Sequence, residues 1–162
     1  MSWRKLNIEI SAVIINDLKW KKTKNYQFEW DAALHSTGNS GIKLQYAHSR
    51  LCNLLKTNAH LEIPQNLECI NWDHLAEPEA LKLILRLAQF DENLAQSYKH
   101  LEPCILVKYL FELCNDSNKA TKVLKVKGTN EEIAIPRFIL FQVTRVGFSY
   151  LNIKIDLDCF SF

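Results

Sequence analysis

The chain has 162 residues, a mass of 18.8 kDa and a formal net charge of +2, too small to point to nucleic acid by itself. With 48% apolar and 23% charged residues it has the composition of a folded domain, which argues against disorder, and its length lets it bury about 70% of its unfolded surface. Four Gly and four Pro are too few for the turns of a sandwich or barrel and favour long helices, and no apolar run approaches the ~20 residues of a membrane span.

The N-terminus, Met1-Ser2-Trp3-Arg4-Lys5, lacks the apolar stretch and cleavage site of a secretory signal. Leu6 to Leu18 reads as one helix with Ile8, Ile10, Val13, Ile14, Ile15 and Leu18 on a wide apolar face. Its β-branched residues leave a strand over Ile8 to Ile15 as an alternative. Lys19 to Lys24, Lys-Trp-Lys-Lys-Thr-Lys, suits either a solvated helix end or a phosphate-facing ridge. Beyond Tyr26 to Leu34, Ser36-Thr37-Gly38-Asn39-Ser40-Gly41 is turn and helix-capping material. It is not a phosphate loop, because no Lys-Ser/Thr follows it and no buried strand precedes it.

Ile42 to Lys56 is the clearest amphipathic helix, with Leu44, Ala47, Leu51 and Leu54 forming a core stripe. Leu44, Ala47, Leu51 and Leu54 are expected to be buried, and Lys43, Arg50 and Asn53 largely exposed. Lys43, Tyr46, Arg50 and Asn53 repeat at the same spacing, one position away. Arg and Lys meet phosphates and Tyr can stack on a base, so this second stripe suits RNA. It equally suits an ordinary polar face, with Tyr46 as a core residue. Residues 57–77 have no sustained period and read as a long connection with a short helical turn. A helix from Pro78 to about Tyr98 follows, then one opening at Glu102-Pro103 and reaching Val123 or Leu124. Lys119, Lys122 and Lys125 recur every three residues, along one side of a helix. Lys127-Gly128-Thr129-Asn130 stops it, Glu131 to Ile135 reads as a linker, and Pro136 starts the last helix, to about Leu151. The sum is an all-α antiparallel bundle of about five or six helices.

No catalytic or metal constellation is visible among His35, His48, His60, His74 and His100, and His48 reads as a structural hydrogen-bonding group. Cys52, Cys69, Cys104, Cys114 and Cys159 form no C-x-x-C pair and read as buried thiols of a reducing compartment. The residues alone therefore describe a helical binding or interaction domain, with no cofactor of its own.

Gly38-Asn39-Ser40-Gly41-Ile42-Lys43-Leu44-Gln45-Tyr46-Ala47-His48-Ser49-Arg50 resembles the G-D-T-G-x-x-L-Q-Y-A-H-x-R segment of arginyl-tRNA synthetases, unbroken from Leu44 to Arg50. Ser11 to Lys19 is similar to the end of that family's catalytic domain, and Tyr26-x-Phe28-x-Trp30-Asp31 to its Tyr-x-Phe-x-Trp-Asp. Phe90-Asp91-Glu92, Glu102-Pro103, Tyr109-Leu110 and Arg137 follow in the family's order, so the resemblance runs from about Ser11 to about Ile153. It implies a C-terminal, all-α, DALR-type anticodon-binding domain over residues 26–162, with 1–25 the end of a catalytic domain plus linker. It further implies arginine tRNA as partner, with ATP and arginine bound by a catalytic domain whose H-I-G-H-like and K-M-S-K-S-like signatures are not in this sequence. The chain then reads as a C-terminal fragment, a truncated product or a stand-alone paralogue, inactive in aminoacylation alone. A separate catalytic domain or protein would be a second partner, and no membrane is expected.

Asn39 and Ser40 stand where the family has Asp and Thr, and both keep capping ability. Ala120 to Lys127 lacks the aromatics that many cytosolic and bacterial members direct at the anticodon, which resembles the mitochondrial branch and implies the mitochondrial matrix, otherwise the cytoplasm. The end, Asp158-Cys159-Phe160-Ser161-Phe162, departs from the family's Pro-x-Arg-Met. The tRNA-binding candidates are Lys43, Tyr46, Arg50, Asn53, Lys119, Lys122 and Lys125; a stand-alone protein-interaction module derived from the synthetase is the rival reading.

Overall fold

A computed structural model describes residues 3–35 and 38–154. The expectations for Ser36, Thr37, Cys159 and the C-terminal residues 155–162 lie outside the described residues. Six helices of eleven or more residues carry the fold: α1 (Trp3–Leu18), α3 (Gly41–Thr57), α4 (Pro78–Ala88), α5 (Phe90–His100), α6 (Cys104–Val123) and α7 (Glu131–Lys154). The five-residue α2 (Trp30–Leu34) lies between α1 and α3, and two 3-10 turns, Leu67–Cys69 and Trp72–Leu75, punctuate the connection to α4. No strand occurs among the described residues, so the helical reading of Ile8 to Ile15 holds.

Helix α3 is central, packing against α1, α6 and α7. Its stripe behaves as its spacing requires: Leu44, Ala47 and Leu51 are buried, and Leu54 packs half-buried at the edge of the core. They meet Ile15 of α1, Val107, Leu110, Leu113 and Cys114 of α6, and Phe138, Phe141 and Phe148 of α7 in one cluster. Ser40 caps α3, its hydroxyl accepting from the Lys43 N–H at 3.4 Å and donating to the His35 carbonyl.

Gly41 permits the close approach of α1. A Cβ there would lie 2.8 Å from the Ser11 carbonyl oxygen and 2.9 Å from the Ala12 Cα, both backbone atoms that cannot swing aside. Gly41→Ala should therefore force the two helices apart and lower stability by about 1–3 kcal/mol, as overpacking does. Chemical denaturation would measure it; an unchanged midpoint would mean that this seam yields freely.

Helix α1 begins at Trp3, three residues before its expected start, and three further boundaries differ from the sequence expectation in an informative way. The helix from Pro78 divides at Gln89 into α4 and α5. The Arg86 carbonyl there accepts from the Gln89 N–H at 3.2 Å, a tightened last turn of α4, and from the Tyr109 hydroxyl at 3.0 Å. Helix α6 begins at Cys104, with Pro103 in the capping position. Helix α7 begins at Glu131, five residues before the expected start, and Pro136 sits inside it. Asn130 starts it: its carbonyl accepts from the Ile133 and Ala134 N–H groups, and its side chain accepts from the Glu132 N–H at 3.4 Å. The proline removes one donor near the first turns, where a helix tolerates the loss best.

Ion pairs tie the outer helices down. Arg86 of α4 meets Glu112 at 2.6 Å and Asp116 at 3.1 Å on α6, and Lys82 adds a contact to Asp116 at 3.3 Å. Arg137 of α7 pairs with Glu77, just before α4, and donates to the Lys125 carbonyl at 2.9 Å.

Candidate nucleic-acid interface

The mixed stripe of α3 runs beside α6. Lys43 Nζ donates to Asn115 Oδ1 at 2.8 Å, and an Arg50 Nη donates to Asn118 Oδ1 at 3.2 Å. Lys43 and Arg50 are therefore half-buried between the two helices, not largely exposed as their polar spacing suggests. Asn53 is exposed as expected. Both cations keep amide partners rather than carboxylates, so their charge is not neutralised locally.

Tyr46 lies on the same stripe and is 65% exposed, which removes the reading that it is a core residue. The Arg50 guanidinium stands 5.9 Å from its ring centroid, a cation–π contact that steadies the phenol without covering it. Asn118, the partner of Arg50, immediately precedes Lys119. Lys119 and Lys122 are exposed on the last turns of α6, whereas Lys125 is exposed one residue beyond the capping Leu124. The three lysines thus do not share one helical side throughout: α6 stops at Val123, where Leu124 turns inward and is buried. None of the three forms an ion pair with a described residue. The structure thus gathers a half-exposed Lys–Tyr–Arg stripe and the two helical lysines on neighbouring helices.

Two polar residues of the motif turn inward instead. The Gln45 side-chain amide donates to Ser11 Oγ, linking α3 to α1, and His48 Nε2 lies 3.2 Å from Ser149 Oγ on α7. Burial, and secondarily the charge of Arg145, lowers the His48 pKa, so the neutral ring is favoured. His48 is thus a structural hydrogen-bonding group, as read from the sequence. The spacing of Gln45, His48 and Cys52 at i, i+3 and i+7 was the available signal that a polar row borders the core.

The cysteines fit the buried-thiol reading unevenly. Cys114 is buried and its thiol is pushed up to about 11 by burial, Cys52 and Cys104 are half-buried, and Cys69 is exposed. Cys69 stands apart because it closes a 3-10 turn on the surface connection. Among the described residues no group of three His, Cys, Asp or Glu side chains converges as a metal site would.

The family model described as "DALR anticodon binding domain" matches residues 44–155, more than half of the chain. The chain belongs to this family of anticodon-binding domains. Its match covers α3 from Leu44 onward, including Tyr46, Arg50 and Asn53, and all of α6 and α7. A probable cytoplasmic arginine–tRNA ligase of Dictyostelium discoideum is 38% identical over 139 residues, 86% of this chain and 23% of that protein. The mitochondrial arginine–tRNA ligase of Saccharomyces cerevisiae is 35% identical over 138 residues, 85% of this chain and 21% of that protein. The crystal structure of arginyl-tRNA synthetase from Plasmodium falciparum superposes on 93% of this chain with a TM-score of 0.72 at 25% identity, using 26% of its own length. The anticodon-binding domain therefore spans about a quarter of the relatives it matches, and those relatives carry both cytoplasmic and mitochondrial names. The all-α bundle read from the sequence and the family resemblance agree with these matches.

Proposed function

We propose that this anticodon-binding domain holds arginine tRNA, placing the anticodon arm across α3 and the end of α6. The observation that carries the reading is the family match together with Tyr46, a phenol left exposed between two incompletely neutralised cations. Lys43, Arg50, Lys119, Lys122 and Lys125 contact phosphates, Asn53 contacts the backbone or a base edge, and Tyr46 meets a sugar or base. In a full-length arginine–tRNA ligase this contribution is anchoring and anticodon discrimination during ATP-dependent arginylation. ATP and arginine bind the catalytic domain of such a ligase. The aromatic-free stretch from Ala120 to Lys127 supports work in the mitochondrial matrix rather than the cytoplasm.

The test is binding of arginine tRNA against a non-cognate tRNA at two salt concentrations. Phosphate contacts position RNA without reading its sequence. Replacing Lys119, Lys122 and Lys125 together by Ala should weaken both tRNAs about equally. It should also flatten the log–log salt dependence by about 0.7 per lost single-strand contact. Tyr46→Ala should cost about 1–3 kcal/mol of affinity if the phenol stacks on a base. Unchanged affinity and salt slope in the triple variant would remove this face from the binding model. Catalysis gives a separate check: the isolated chain should show no arginine-dependent ATP–pyrophosphate exchange above background, and measurable exchange would refute the placement of chemistry outside it.

One observation favours a protein partner as a second reading. Leu81, Ile84 and Leu85 recur at i, i+3 and i+4 on α4 and are all exposed. An interaction module would lose its partner on Leu81→Asp and Leu85→Asp while tRNA affinity stayed unchanged.

A further inference from the structure

The basic stretch between α1 and α2 lies outside the face just described, and it is built as a site. Lys21, Lys22 and Lys24 line a hollow of about 300 Å3 together with Asp17, Trp20 and Tyr26, and Pro103 at the start of α6 forms another wall. The Trp20 indole is the scaffold. Tyr26 stacks on it with ring centroids 5.7 Å apart, and the Lys24 ammonium stands 4.3 Å from its centroid. Lys19 approaches the same ring at 5.6 Å, and burial lowers its pKa.

The polar groups of this hollow are nearly all donors. The indole N–H of Trp20 is buried and has no hydrogen-bond partner among the described residues. Two carboxylates face the lysines, and both are engaged. Asp17 Oδ1 accepts from the Tyr26 hydroxyl at 2.6 Å, and Glu102 accepts from the Lys22 backbone N–H at 3.3 Å. No ion pair is formed by Lys19, Lys21, Lys22 or Lys24 with a described residue, whereas Lys82, Arg86 and Arg137 each hold a carboxylate. Lys82, Arg86 and Arg137 join elements through carboxylates, and Lys43 and Arg50 do so through side-chain amides. The four lysines here do neither with a described residue, and they gather beside an unsatisfied donor, an arrangement complementary to an anion rich in acceptor oxygens. Tyr26 and Lys24 already engage the indole, so the aromatic pair holds the lysines in place and is not a platform for a base.

The position of the hollow defines the anion further. Pro103 opens α6 and Lys119 and Lys122 close it, so at 1.5 Å per residue the two basic groups lie about 25 Å apart along one helix. A single RNA can span that distance, with its loop at one end and the adjoining stem at the other. We infer that Lys21, Lys22 and Lys24, arranged around Trp20 and Tyr26, form a second RNA-backbone contact that grips a duplex stem by its phosphates. The inference rests on tRNA binding as proposed above and adds to it a second foothold.

The test uses the whole chain and arginine tRNA. In Lys21→Ala/Lys22→Ala/Lys24→Ala, the log–log salt dependence should flatten by about 0.9 per lost duplex contact, with weaker binding. The three lysines replaced by Arg should restore the slope. The Trp20 indole N–H resonance, assigned with Trp20→Phe, should shift on adding tRNA to the wild-type chain. If tRNA binds but neither the slope nor this resonance responds, the second foothold is wrong while the α3–α6 face stands. If the wild-type chain binds no tRNA, the reading of function falls first and the foothold with it. Inorganic phosphate, added at constant ionic strength, should leave the resonance in place. A saturating shift with phosphate alone would assign the hollow to a free anion and overturn its assignment to RNA.

Discussion

Leu51→Ala should lower the unfolding free energy by about 2–5 kcal/mol, the cost of removing a fully buried leucine and leaving a cavity. Leu51 is 1% exposed in the middle of α3, within the cluster shared by α1, α6 and α7. Each neighbouring helix is fixed elsewhere, which limits how far the site can collapse. Gly41 seats α1, Lys43 and Arg50 bind α6 by their amide contacts, and His48 meets Ser149 on α7. Urea or thermal unfolding would measure the loss, and a nearly neutral substitution would mean that the buried face of α3 is misassigned.

Asp116→Ala should be of similar weight, about 3 kcal/mol, because removing one partner of a buried ion pair leaves the other charge uncompensated. The Asp116 carboxylate is only 4% exposed and receives both Arg86 and Lys82. The figure lies at the low end of the range because Arg86 retains Glu112 and is 21% exposed, so water recovers part of the lost solvation. Lys82, more than half exposed, returns to solvent at little cost. Asp116→Asn should cost less, since the amide oxygen still accepts from the guanidinium. A stability loss below that of Glu112→Ala, which removes the more exposed of the two carboxylates on Arg86, would contradict the dominance of the buried one.

What the sequence disclosed follows from the range of the interactions involved. The α3 stripe was legible because burial of Leu44, Ala47 and Leu51 obeys helical spacing alone. The division at Gln89 was not, because the Tyr109 hydroxyl that shares the Arg86 carbonyl lies twenty-three residues away. Pro136 misplaced the start of α7 because proline marks first turns only on average, while Asn130 followed by Glu131 and Glu132 was the stronger local signal. In the candidate site, the residue types on the α3 stripe were readable but their burial was not. Lys43 and Arg50 look like solvent-facing cations until Asn115 and Asn118, 72 and 68 residues later, are brought beside them. Lys125 was grouped with Lys119 and Lys122 by spacing, and the end of α6 at Val123 breaks that grouping.

The seam between α1 and α3 has a mechanical consequence. A helix of sixteen residues is about 24 Å long, and α1 is clamped near its middle and C-terminal end by Gly41, by Gln45 on Ser11 and by Ile15 in the core. It is a stiff arm, not a tether. A body joined to its N-terminal end would keep a fixed bearing on Tyr46, and a rotation at one end would be delivered to the other with little loss. Loosening the Gly41 joint would blur that bearing without touching Lys43, Tyr46 or Arg50.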